Sequence, residues 1–320
     1  MDYLPGYEEA QNGAVFFPIP DSGYLKINGE DRLSFLQRQT TNDIRKVTLD
    51  RVVTTVLTSP KARILDLLTL IAEPESIGAI TLPGHASETG SFLRKRIFFM
   101  DKISLEDQSA DFNQVDLIGP QVDAILRTMG FNEIPERDGI ITTSIEGAPV
   151  RIISTEKHNY RLLFPSALYN WIDNLLIQNA AIRLTEESFA VLRVESGIPR
   201  AGHELTSHYT PLEVNLEKLI SDQKGCYTGQ EVISRQLTYD KVTRKLVGLH
   251  LTSLAKPGDK VFPPDRDHAI GNITSAVSSP RYGFIALAVI NHRFSQPGTE
   301  VVHQRGEQSW SASVCNLPFR

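Results

Sequence analysis

The octapeptide Lys224-Gly-Cys-Tyr-Thr-Gly-Gln-Glu231 gathers chemistry that few other stretches of the chain could supply. It holds one of only two cysteines in 320 residues, set between Gly225 and Gly229 and flanked by Lys224 and Tyr227. Glycines let a backbone turn sharply or come close to a ligand. An ammonium beside a thiol lowers its pKa and enriches the nucleophilic thiolate. Two readings of Cys226 follow. One is a reactive thiol on a glycine-rich loop; the other is a small buried hydrophobe, a common fate of free cysteine. The neighbouring glycines and Lys224 favour the first. Arg235 follows Glu231 by four positions, a spacing that also allows an ordinary helical ion pair.

Two carboxylates stand out. The segment Thr185 to Gly197 reads as a helix: Thr185 caps it, Glu186 and Glu187 sit in its positive first turn, and Gly197 and Pro199 end it. Glu195 lies in the last turn, where the helix dipole disfavours negative charge, on the side of Val191 and Leu192. It accepts paired N–H groups from a heterocycle, pairs with Arg193 or Arg200, or is simply exposed. Asp66 interrupts the apolar run 63–71. Turned inward it needs partners; turned outward it is ordinary, and alternation alone leaves both open.

The elements that must carry these residues mix strands with helices and lack a strict βαβ rhythm, which predicts an α+β protein with antiparallel sheets. Strands are expected at 23–27, 52–58, 63–71, 77–82, 101–106, 113–118, 139–145, 149–154 and 158–164. Helices are expected at 32–40, 87–98, 120–129, 166–178 and 185–197. From Val242 onward short strands separated by Pro-Gly and Pro-Pro turns predict a small all-β barrel or sandwich, with strands at 245–251, 269–278, 286–291 and 309–314. The Arg94-Lys95-Arg96 cluster reads as a solvated helix face.

Composition narrows the classes. Hydrophobic residues at 41% and charged ones at 22% are ordinary for a globular protein. A net charge of −5 provides no sequence-wide basic field for nucleic acid. The start of the chain lacks the basic and apolar pattern of a signal peptide, and no apolar run approaches a membrane span. With Cys226 and Cys315 far apart, free thiols in a reducing cytoplasm are expected, with no membrane and no direct nucleic-acid partner. The absence of Cys-x-x-Cys and His-x-x-x-His spacing argues against a tetrahedral metal site built from this chain alone.

The octapeptide resembles the fingerprint of the YgfZ-type folate-binding proteins, relatives of the glycine-cleavage T-protein, an aminomethyltransferase. The likeness extends to Asn28-Gly-Glu-Asp-Arg-Leu-Ser-Phe-Leu-Gln37 with Thr41-Asn42-Asp43. It continues through Arg193-Val-Glu-Ser-Gly-Ile-Pro-Arg200 with Glu204-Leu205 and Pro211-Leu-Glu213, and through Val242-Thr-Arg-Lys-Leu-Val-Gly-Leu249. The resemblance implies a three-domain cloverleaf of antiparallel sheets with flanking helices, a C-terminal β-barrel and tetrahydrofolate in a central channel. The implied segments are 1–50 and 139–240 for a split folate-binding domain, 51–138 for an inserted one and 241–320 for the barrel. Glu195 would hold the pterin, Arg235 would sit near the folate, and Cys226 would be the functional thiol. Lys224, Tyr227 and Gln230 stand as further folate-site candidates. The T-protein carries an Asp-Asp pair where this chain has Asp66-Leu67, so the second acid is replaced by leucine, while Asp66 keeps a claim to catalysis. The implied function is a folate-dependent accessory factor for assembly or repair of iron–sulfur client enzymes, including tRNA-modifying ones. The alternative is a folate-dependent one-carbon transferase.

Overall fold

A computed structural model of the protein describes residues 4–238, 241–265 and 268–320. Its strands form three sheets. After α1 (Glu9–Asn12), β1 (Val15–Pro18) and β2 (Gly23–Asn28) diverge into different sheets. β2 is followed by α2 (Arg32–Gln39), β3 (Val53–Thr58), β4 (Ile64–Ala72), β5 (Ser76–Thr81), α3 (Ala86–Arg94) and β6 (Ser104–Asp107). These strands make a five-stranded antiparallel sheet in the order β3-β4-β5-β2-β6. One of its faces is apolar: Leu25, Ile27, Leu68, Leu70 and Ala79 pack against Phe35 and Leu36 of α2 and Leu93 of α3.

The chain then returns to β1. β7 (Phe112–Ile118), α4 (Val122–Thr128), β8 (Ile140–Ile145), β9 (Ala148–Glu156), β10 (Asn159–Pro165), α5 (Tyr169–Gln178) and β11 (Ile182–Arg183) complete a sheet ordered β11-β1-β7-β10-β9-β8. Among the described strands, β1 with β11 is the one parallel pairing. α6 (Glu186–Glu195) and α7 (Gln230–Thr238) precede the third unit. There β12 (Arg244–Leu251), β13 (Lys260–Phe262), β14 (Gly271–Ser279), β15 (Gly283–Asn291), β16 (Glu300–Arg305) and β17 (Gln308–Cys315) close into a six-stranded antiparallel barrel. The fold is α+β with antiparallel sheets and a C-terminal barrel, as expected.

The sheets cut across the expected segmentation. Strands inside 1–50 go to both of the first two sheets. Within 51–138, β3 to β6 join β2 while β7 joins β1. The expected limit at 240 falls on a residue outside those described. The missed strands are short or polar: β1 has four residues, β11 two, β13 three, and β16 reads Glu-Val-Val-His-Gln-Arg. Runs of that kind carry little periodicity. α3 ends at Arg94 instead of Phe98, leaving Phe98, Phe99 and Met100 in a turn with 66%, 97% and 74% exposure.

Candidate functional site

A cavity of about 670 Å³ opens where the three sheets meet. Its walls come from β1 (Phe17), β4 (Leu67 and Thr69), β7 and β10 (Asp116 and Arg161), α6 (Phe189, Leu192 and Glu195) and the barrel side (Tyr282 and Phe319). The volume suits a drug-sized ligand, and apolar walls with few polar groups are the usual makeup of such sites. Asp116 and Arg161 face each other across the β7–β10 register and form a two-point ion pair at 2.8 and 3.0 Å. Phe17 stacks on Phe189 with ring centroids 4.0 Å apart.

Glu195 is the other carboxylate of this lining. α6 starts as the sequence predicts, with the Thr185 hydroxyl accepting the Ser188 N–H at 3.1 Å. It ends in a Schellman arrangement: Ile198 N–H donates to Arg193 O, and Gly197 N–H to Val194 O. Gly197 has φ +69°, and a Cβ there would lie 2.8 Å from the Leu317 Cβ, so glycine is required twice over. The carboxylate forms no ion pair with Arg193 or Arg200. Arg193 bonds Glu204 at 3.3 Å and Ser275 at 2.8 Å in a buried cluster joining α6 to β14, and Arg200 reaches Glu186. Glu195 Oε1 instead accepts from the Tyr7 hydroxyl at 2.7 Å and from Ser279 Oγ at 2.6 Å. Ser279 already accepts the N–H groups of Arg281 and Tyr282, so its single proton is directed at the carboxylate. Burial, and then the bond to Glu195, push the Tyr7 hydroxyl well above the usual phenol range. Among the described residues Oε2 has no hydrogen-bond partner. The result is a half-buried carboxylate on a cavity wall, fixed through one oxygen and with the other available as an acceptor. Tyr7 and Ser279 escaped sequence reasoning because they lie 188 and 84 residues from Glu195.

Asp66 is turned the other way. β4 alternates, with Ile64, Asp66, Leu68 and Leu70 buried, while Leu67 and Thr69 belong to the cavity wall. Asp66 is fully buried and accepts from Leu67 N–H (2.8 Å), Leu82 N–H (2.9 Å) and the Thr89 hydroxyl (2.5 Å). Burial nevertheless pushes its carboxyl up to about 6. A strand has a period of two, so the residue offered to the cavity is Leu67.

The cysteine loop lies elsewhere. None of residues 224–235 belongs to the cavity lining. The loop is clamped by main-chain contacts: Thr228 N–H donates to Arg38 O, and Thr228 O accepts from Thr58 Oγ1. Gly229, at φ +84°, passes so near the β3–β4 turn that a Cβ would come within 2.7 Å of Ser59 O. Lys224 is buried, with Nζ donating to Thr40 O and Asn42 O at 2.6 Å each, and burial lowers its pKa to about 8. Its ammonium therefore anchors the loop, and among the described residues it makes no bond to Cys226. Tyr227 is buried against Leu212 and Ile233, which pushes its hydroxyl up to about 12, while its N–H donates to Gln230 Oε1. Cys226 is exposed. Arg235 is 70% exposed and pairs with Glu231 at 2.8 Å, the plain helical pairing that its spacing allowed. The structure thus groups Lys224, Cys226, Tyr227 and Gln230, outside the cavity lining that holds Glu195.

The sequence motifs also act as clasps. Glu213 accepts both arms of the Arg244 guanidinium at 2.8 and 3.0 Å, tying the loop before α7 to the barrel entry. Residues 7–224 match the GCVT N-terminal domain, and residues 244–320 match the glycine cleavage T-protein C-terminal barrel domain. The chain belongs to the glycine cleavage T-protein family. Within that family it is similar to a chloroplastic protein of Arabidopsis thaliana whose name places it among transferases, at 28% identity over 91% of this chain and 68% of the relative. It is also similar to the aminomethyltransferase of Bacillus subtilis, at 27% identity over 98% of this chain and 89% of the relative. The fold is that of the glycine cleavage system aminomethyltransferase T of Bartonella henselae, with a TM-score of 0.86 at 20% identity over 98% of this chain and 88% of that one.

Proposed function

We propose that this T-protein family member is a tetrahydrofolate-binding accessory factor that supports assembly or repair of iron–sulfur enzymes, tRNA-modifying ones included, through Cys226. The observation that carries the reading is an exposed thiol on a clamped loop, set apart from a cavity whose β4 position holds Leu67. The cavity fits a reduced folate: its apolar walls suit a flat heterocycle, and Glu195 offers a carboxylate oxygen to paired ring N–H groups. In this reading Lys224, Tyr227 and Gln230 shape the thiol loop.

The second reading, a folate-dependent one-carbon transferase, is favoured by relatives named aminomethyltransferases that align over nearly the whole chain. It needs an acid or base beside the folate. Leu67 cannot move a proton, Asp116 is held by Arg161, and Asp66 lies on the opposite face of β4. Loss of a positioned acid or base costs about 10²–10⁴-fold in rate.

Two measurements test the proposal. Glu195→Gln should weaken reduced-folate binding by about 1–3 kcal/mol in calorimetry, the size of a lost charge-assisted contact, with the fold intact. Cys226→Ala should keep folate affinity within about twofold, on the premise that the loop and cavity are separate, and fail to restore an iron–sulfur enzyme in cells lacking the protein. Unchanged affinity in the first variant removes the folate site. Tetrahydrofolate-dependent release of ammonia from an aminomethyl-lipoyl donor promotes the transferase.

A further inference from the structure

The turn after α3 presents Phe98, Phe99 and Met100 in succession to solvent, with Phe99 at 97% exposure. Large apolar side chains clustered on a surface mark interaction sites. This turn is also held rigidly. Asp101 N–H donates to Phe98 O, Phe98 N–H donates to the Asp101 carboxylate, and Arg38 grips that carboxylate at 2.8 and 3.0 Å. A pre-ordered turn loses little entropy on binding. Just before it stand Arg94, Lys95 and Arg96, and among the described residues none of the three joins an ion pair. Arg38 links the turn to the thiol loop: its guanidinium holds Asp101, and its carbonyl accepts the Thr228 N–H, two residues from Cys226.

We infer that the Phe98–Phe99–Met100 turn is the docking point for a protein partner that offers an apolar cleft rimmed by carboxylates, seated beside the Cys226 loop. This deepens the proposed accessory role by naming the partner's surface, and rests on that role for the reason a partner approaches the thiol. Three side chains of this size supply a few hundred Å² at most, roughly half of the ~800 Å² per side of a stable interface. The turn is therefore an anchor within a larger contact. Cross-linking at the turn distinguishes a second copy of this chain from a different protein. A flat anionic membrane would also meet the exposed carboxylates of Glu106 and Asp107 on β6, the strand that follows the turn. A shaped partner need touch only the basic side.

The test places a photo-crosslinking p-benzoylphenylalanine at position 99 of the full chain in cells, with the same residue at Leu254 on the barrel as control. The expected result is a discrete protein adduct at 99, absent at 254, with the cross-link mapped to a segment rich in Asp or Glu. That protein, once purified, should bind Phe99→Asp and the pair Arg94→Glu with Lys95→Glu at least tenfold more weakly than the unaltered chain. Folate affinity in the same variants should stay within twofold, showing that they fold. Adducts only to lipid, only to a second copy, or equal at both positions overturn the proposal, as does undiminished binding by Phe99→Asp. A mapped partner that carries no cluster leaves the docking surface standing and removes the iron–sulfur reading. Full rescue of an iron–sulfur enzyme by Phe99→Asp, with Cys226→Ala inactive, does the reverse.

Discussion

The cavity at Glu195 and the loop at Cys226 both lean on the β3–β4 hairpin, yet they are built in opposite ways. The cavity is assembled from side chains distant in sequence: Tyr7, Glu195 and Ser279 meet at one carboxylate oxygen, and β4 contributes Leu67 from mid-strand. The loop is one contiguous octapeptide, held to Arg38 of α2 and to the Thr58 hydroxyl on β3 by the Thr228 main chain, and by a buried lysine; at Gly229 it passes close to Ser59. The first arrangement pre-orients an acceptor in a partly dry site, where charge-assisted contacts are strong. The second leaves its thiol in water and invests its bonds in shape. A protein that needs ligand affinity in one place and access in another is served by that division.

The widest contrast concerns the two thiols. Cys315 is partly buried near Leu317 and Phe319 in the core beneath the barrel, and burial pushes its thiol up to about 11. Cys226 is exposed. The rise from 9.0 to about 11 alone cuts the Cys315 thiolate about 10²-fold at neutral pH and burial slows the reagent further, so Cys315 should alkylate at least about 10²-fold more slowly than the exposed Cys226. Mass-spectrometric time courses with iodoacetamide measure this directly. Comparable rates would mean that the loop closes over its cysteine in solution, which breaks the comparison.

A second prediction asks whether the hairpin couples the two regions. Asp66 sits on β4 beside Leu67, and burial raises its carboxyl from the ordinary 3.8 to about 6. Between those values the native chain keeps a proton that the unfolded chain has released. Asp66 therefore contributes stability that is complete below about pH 4 and is lost as pH rises through about 6, by up to about 3 kcal/mol. Denaturant titrations across pH 4–7 should show this decline. Asp66→Asn retains an acceptor for the Leu67 and Leu82 N–H groups and should flatten it. If Asp66→Asn leaves the pH profiles of folate affinity and of Cys226 alkylation unchanged, the regions are independent; if it alters both, β4 connects them.

The smallest effect expected is at Arg235. It is exposed, pairs with Glu231 and lies outside the cavity lining. Arg235→Ala should change folate affinity by less than about twofold and stability by no more than about 0.5 kcal/mol, as for an exposed helical pair. A tenfold loss of affinity would bring α7 to the folate and erase the separation between the two regions.

What was legible in the sequence was what short range decides. The Thr185 cap and the Gly197 terminus of α6 are local signals, and both stand in the structure. The strand at β4 and the turn-rich barrel are local patterns too, as is the cysteine octapeptide, in which Gly229, unlike Gly225, is needed where the loop crosses the β3–β4 turn. Tertiary structure decided the rest. The sequence permitted Lys224 to activate Cys226, but the carbonyls of Thr40 and Asn42, some 180 residues earlier, take its ammonium. It permitted Asp66 to face either side, but Thr89 and the Leu82 N–H lie on the core side and satisfy it there. It marked Glu195 as a carboxylate at the unfavourable end of a helix without indicating Tyr7 or Ser279. A hydrogen bond requires a partner within about 3 Å, and for these buried polar groups only the folded chain determines which partner that is.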